Sequence, residues 1–268
     1  MRCAMFGLTG GTWERRRLYL SIAAMIAGFS AMGSVADAAE VRAAVASNFQ
    51  KPMETLVAPF KRETGHDLKL SFGSTGNFYA QIINGAPFDV LLAADSATPE
   101  RLGKEGKAVA GTRFTYAVGR IALWSADANT IKADGVAVLK QGAFQKLAMA
   151  DPKVAPYGAA AQQSLMKLGL WTTIQPKIVM GQNIAQTQQF AETGNAQLAF
   201  LALSQVVDPA MKGRGSYWLV PAEHHDPIEQ GAILLLPGNN NGGARALLTF
   251  LKGATARKVI EDFGYAMP

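Results

Sequence analysis

The sequence predicts an α/β fold with parallel sheets flanked by helices, on three observations. From Ala39 onward, short β-type runs alternate with helical patterns, the order that builds parallel sheets. The run "FDVLLAAD" is almost wholly apolar, as a strand covered on both faces should be. The 268 residues, 49% hydrophobic and 17% charged, suffice for one large or two ordinary domains. No Pro- or Ser-rich linker and no short-period repeat marks a boundary, so two domains would be joined by strands passing between them.

The N-terminus comes first. Arg15, Arg16 and Arg17 precede the apolar run "LYLSIAAMIAGFSAMG", and Ala36 and Ala38 then form a small-x-small site. Residues 1–38 are expected to be an export signal cleaved near Ala38, because the apolar stretch is short for a membrane anchor. The only cysteine, Cys3, falls inside this segment. The mature chain would therefore have no disulfide and no thiolate, as suits an oxidising compartment such as the periplasm. Of the formal charge of +6, the signal holds four positive charges (Arg2, Arg15, Arg16, Arg17) and two negative (Glu14, Asp37), which leaves +4. The remaining Lys and Arg are scattered, without an aromatic-interleaved stripe, so nucleic acid is not an expected partner.

"VRAAVA" is expected as the first strand, with a helix from about Phe49 to Thr64, then "HDLKLSF" and a helix from about Gly76 to Asn84. In "SATPERLGKEG", Thr98 is expected to cap a helix with Pro99 in its first turn. A second set of units runs from "FQKLAMADP" to "AFLALSQ". "TYAVGRIALW" and "SYWLVPAEHH" are the candidate crossovers, after which "QGAILLLPG" and one last helix, "GARALLTFLKGATARKVIEDFG", return to the first domain.

Four strand-to-helix corners share one kind of equipment. They are "VASNFQKPM" with Ser47 and Asn48, "FGSTGNF" with Thr75, "ADPKVAPYG" with Tyr157, and "VMGQNIAQ" with Asn183 and Ile184. Each alone reads as ordinary helix capping. Together, at the carboxyl ends of strands where open α/β sheets bind ligands, they form a cradle of hydroxyls and helix N-termini without a central Lys, Arg or His. Such a neutral donor set suits an oxyanion that must be held and later released.

The same residues resemble the periplasmic molybdate-binding proteins of bacterial ABC importers. "AVASNF", "SFGSTGNFYAQI", "NGAPFDVLLAAD", "ADPKVAPYG", "LMKLGLW", "LTFLKG" and "DFGYAMP" come in the expected order over essentially all of residues 39–268. The resemblance implies a periplasmic-binding-protein-like fold of two domains, each a mixed, mostly parallel sheet flanked by helices, with the ligand cleft between them. Residues 39–118 and 222–268 would form the first domain and 119–221 the second. It implies that Ser47 and Thr75 ligate the anion through side chains and backbone amides, with Asn48 assisting, and that backbone amides near Tyr157 and Ile184 complete the site. One departure is Ala202, where many relatives have a ligating tyrosine; Tyr157 is a candidate to supply a phenol in its place.

Implied with the family are molybdate or tungstate as ligand, an inner-membrane ABC permease as partner, a monomer, and neither cofactor, metal centre nor catalysis. Sulfate is the alternative oxyanion. The other alternative, a secreted hydrolase using one of the Ser corners, lacks a base, because none of the three histidines lies in a corner. His224, His225 and Asp226 read as a solvated turn, and His66 as exposed. No P-loop, dinucleotide fingerprint or G-x-S-x-G elbow is present.

Overall fold

A computed structural model of the protein describes residues 38–268; all but the last residue of the expected export signal, 1–38, lies outside them. β1 (Glu40–Ala46) passes through a tight 3-10 turn, Ser47–Phe49, into α1 (Gln50–Thr64). β2 (Asp67–Gly73) leads to α2 (Thr75–Ile83), β3 (Val90–Leu92) to α3 (Ala97–Lys104), and β4 (Phe114–Gly119) to β5 (Ile121–Ser125). There follow α4 (Gly135–Gln141), β6 (Leu147–Ala150), α5 (Pro156–Lys167) and α6 (Trp171–Ile174). Next come β7 (Ile178–Gly181), α7 (Ile184–Glu192), β8 (Leu198–Ala202), α8 (Leu203–Val206) and β9 (Ser216–Leu219). β10 (Ile228–Leu234), α9 (Gly242–Phe250) and α10 (Ala254–Asp262) close the chain.

The strands form two five-stranded sheets, ordered β2-β1-β3-β10-β4 and β7-β6-β8-β5-β9. In the first, β1 pairs parallel with β2 and β3, while β10 pairs antiparallel with β3 and β4. The second repeats this pattern, with β6 parallel to β7 and β8, and β5 antiparallel to β8 and β9. The chain crosses between the sheets at the two places expected. "TYAVGRIALW" splits into β4 and β5 with only Arg120 between them, and the segment after β9 returns to β10.

Apolar clusters cover both faces of each sheet. On the first, Val41, Val45, Phe49, Phe60, Leu247 and Ile260 gather on one side, and Phe78, Leu91, Leu102 and Ile233 on the other. Val90, Leu91 and Leu92 are all fully buried, which is why that strand carries no polar side chain. Each such residue contributes roughly 1.5–3 kcal/mol by leaving water. The packing fixes the sheets rigidly enough to hold the corners at their carboxyl ends.

Four local expectations fail. Thr98 lies inside α3, one residue past its start, and the capping acceptor is the Asp95 carboxylate, 2.7 Å from Thr98 N and 3.2 Å from its hydroxyl. A carboxylate three residues ahead outcompetes a hydroxyl for an unpaired helix N–H, since charge strengthens the bond. The last helix is two, because Gly253 takes an extended conformation (φ −77°, ψ 164°) and starts α10 afresh after α9. His66 is half-buried rather than exposed, and its Nδ1 accepts from Ala39 N at 3.1 Å. His225 is likewise buried, with Nδ1 2.7 Å from Asp226 O.

Candidate anion-binding site

The corner after β1 turns sharply, and the turn directs Ser47 and Asn48 inward, 6% and 3% exposed. The corner after β2 places Ser74 at the N-cap of α2 and Thr75 at its first position, 4% and 1% exposed. From the second sheet, Pro156 opens α5 at a position where a missing N–H does no harm, and Tyr157 follows it. Asn183 caps α7, its Oδ1 accepting from Ala185 N and Gln186 N at 3.0 Å, and Ile184 opens that helix. All five residues singled out in the sequence, Ser47, Asn48, Thr75, Tyr157 and Ile184, line one small cavity of about 10 Å³. Ser74 lines it too, and none of its lining residues is charged.

Two corners come from each sheet, at equivalent places. β1 and β6 occupy the same position in the two strand orders, as do β2 and β7. The N-termini of α2, α5 and α7 therefore meet the turn after β1, and unpaired N–H groups with the positive ends of helix dipoles face a common space. This arrangement can hold an anion by donors alone.

Hydrogen bonding sets which groups remain available. Thr75 Oγ1 accepts from Ala94 N at 2.9 Å, which fixes its rotamer and leaves its proton to give. The Asn48 side-chain amide is already engaged, donating to Gln230 Oε1 at 2.8 Å and to Tyr265 Oη at 3.0 Å. Asn48 can thus offer an anion its backbone N–H, but not its side-chain donors. Tyr157 Oη accepts from Gln230 Nε2 at 2.9 Å. Ala202 ends β8 fully buried, with its N–H on Gln205 Oε1 at 3.0 Å.

Gln230 is the centre of a network that the sequence did not suggest. It is fully buried, and Tyr116 Oη lies 2.9 Å from its Oε1. A register shift between Gln230 and Gly231 in the β10–β4 ladder, the kind of irregularity that re-aims side chains, lies at its position. Ser204 Oγ, from α8, reaches Asn48 O at 2.8 Å and tightens the same junction. Gly119 is small for a reason, since a Cβ there would overlap Tyr157 Oη. The only signal in the sequence is that "QGAILLLPG" opens on a polar residue before an apolar run.

Burial is the main cause of the phenol shifts in this network. It pushes Tyr157 and Tyr116 well above the usual tyrosine value and Tyr265 up to about 12. All three remain protonated at neutral pH. Beside the cavity, and sharing Ala94, Ala155 and Pro156 with it, lies a wider cleft of about 500 Å³ whose lining includes Asp95, Arg101, Lys153 and Glu229. Burial also raises the Asp95 carboxyl, against the two bonds from Thr98 that lower it.

Two α/β sheets joined by two strand crossings, with donors from both converging on an uncharged cavity, describe a receptor for a small solute. The chain belongs to the bacterial extracellular solute-binding protein family, whose model matches residues 41–266. The molybdate-binding protein ModA of Azotobacter vinelandii is 51% identical over 240 residues, covering 90% of this chain and 95% of its own. The molybdate-binding protein ModA of Rhodobacter capsulatus is 47% identical over 230 residues, 86% and 89% of the two chains. Among solved structures, the periplasmic molybdate-binding protein of A. vinelandii matches with a TM-score of 0.82 at 37% identity, over 85% of this chain and 99% of its own.

Proposed function

We propose that the chain captures molybdate, and tungstate with it, in the periplasm and delivers the anion to an inner-membrane ABC permease. It acts as a monomer, without cofactor or catalysis, after removal of residues 1–38. Residues 39–118 with 222–268 form one lobe and 119–221 the other, and the anion lies between them. Ser47 and Thr75 donate through hydroxyl and backbone, Asn48 and Ile184 through backbone, and Tyr157 through its backbone amide and phenol.

The observation that carries this reading is the uncharged cavity where four strand-to-helix corners meet, two from each sheet. Fixed neutral donors bind a fully deprotonated oxyanion without a buried counter-charge that release would leave unpaired. The relatives at 51% and 47% identity are named for molybdate, which supports the choice of anion. Native mass spectrometry of protein purified from periplasm tests it. Molybdate or tungstate should appear as a bound mass with its isotope pattern, and a bound sulfate instead would replace the assignment.

A further inference from the structure

The Ser74 hydroxyl oxygen is buried without a hydrogen-bonding partner, and the residue is only 4% exposed. Such a group is expensive to leave unpaired, and native structures seldom do so without a purpose. Ser74 stands at the N-cap of the nine-residue α2 with φ −79° and ψ 149°, the extended backbone from which a serine ordinarily accepts a helix N–H two or three residues on. Here it makes no such bond. The N–H two residues on belongs to Gly76, and it donates instead to Val154 O, 2.9 Å away in the loop before α5.

That diversion links Ser74 to the junction of the two sheets. Gly76 can approach Val154 only because it lacks a side chain, since a Cβ would lie 2.9 Å from Val154 Cα. While the bond is made, the capping role of Ser74 is vacant and its hydroxyl is left to the cavity that it lines with Ser47 and Thr75. We propose that Ser74 Oγ is a third hydroxyl donor to the bound oxyanion, released for that role by the Gly76–Val154 bond. This assignment rests on the reading of the cavity as a molybdate site.

The test compares wild type, Ser74→Ala and Ser74→Gly by titration calorimetry with sodium molybdate and by thermal unfolding without it. Losing one hydrogen bond to a charged group should weaken molybdate binding about 10- to 150-fold in both variants. Without anion, Ser74→Ala should melt no lower than wild type, because it removes an unpaired buried hydroxyl; a capping serine would lower it. Ser74→Gly keeps the assay available if alanine disturbs the corner, since glycine is nearly as good an N-cap. Affinity within about threefold of wild type, or a lower melting temperature for anion-free Ser74→Ala, overturns the assignment while leaving the molybdate reading intact. A wild-type protein that takes up no molybdate overturns both.

Discussion

Gln230 Nε2 donates to Tyr157 Oη at 2.9 Å, joining β10 of the first sheet to the head of α5 on the second. The phenol is thereby held as an acceptor on one side, and its own proton is left for another partner. In the proposed complex that partner is the anion.

Tyr157→Phe is accordingly expected to lower molybdate affinity about 10- to 150-fold, the loss of one hydrogen bond to a charged group. It also strips the buried Gln230 amide of an acceptor, so urea denaturation should show a loss of about 1–3 kcal/mol in anion-free protein. Calorimetry in which the variant binds within about threefold of wild type would mean that the site closes without the phenol. Ala202→Tyr offers no rescue, because Ala202 is fully buried and a large side chain there would overpack the core.

Molybdate and tungstate should each raise the melting temperature, with sulfate and phosphate weak or inactive. No carboxylate lines the cavity to accept the proton that phosphate keeps near neutral pH, and a rigid donor set discriminates by size. Equal shifts from sulfate and molybdate in a thermal melt would end the selectivity claim.

Molybdate affinity should be nearly flat from about pH 6 to 8, as no histidine lines the cavity. A steep dependence in calorimetry would reveal an ionisable ligand. At alkaline pH the buried phenols act on stability. Their folded pKa values lie above the ordinary tyrosine value, Tyr265 at about 12, so the unfolded chain releases these protons first. Their contribution is complete below about pH 10 and is lost as pH rises through the folded values. Tyrosinate absorbance should therefore show Tyr116, Tyr157 and Tyr265 ionising together with loss of the far-ultraviolet circular dichroism, and ionisation near pH ~10 in folded protein would contradict it.

Gly76→Ala should keep the fold and lose the anion. Alanine suits a helix better than glycine, but its Cβ would meet Val154 backbone, which cannot rotate away. A drop in molybdate affinity of at least about tenfold, with unchanged far-ultraviolet circular dichroism, is expected in calorimetry. Wild-type affinity would mean that the Gly76–Val154 approach is not needed for binding.

Much of this fold could be read from local signals. The alternation of β-type and helical runs located strands of both sheets, although "TYAVGRIALW" read as one run where the structure has β4 and β5, and the apolar "FDVLLAAD" announced a strand covered on both faces. Three of the corners were visible because Ser, Thr or Asn follows a strand directly, although only Asn183 caps its helix, while Ser47, Ser74 and Thr75 make no cap bond. Gln230 was not visible, because its importance comes from meeting Asn48, Tyr116 and Tyr157 in space, as far apart in sequence as the 182 positions between Gln230 and Asn48. The likeness of the two sheets was hidden for a related reason: strand order and pairing direction repeat, and no short sequence motif does. Thr98 and Gly253 were misread where two plausible local signals competed, and only the neighbours decided which prevailed.

The two crossings between the sheets are unequal. One is the single residue Arg120, whose carbonyl is pinned by Leu203 N at 2.8 Å, and the other is the longer stretch from Val220 to Pro227. A short pivot and a long strap leave the sheets few ways to move: sliding would stretch the pivot, and twisting would pull the strap taut. Of the motions that domains of such proteins use, hinge bending about Arg120 is the one these unequal connections favour. With so short a pivot, any hinge bending that the proposed anion causes would be read at the rims of the two sheets, far from Arg120, as a change in the distance between them.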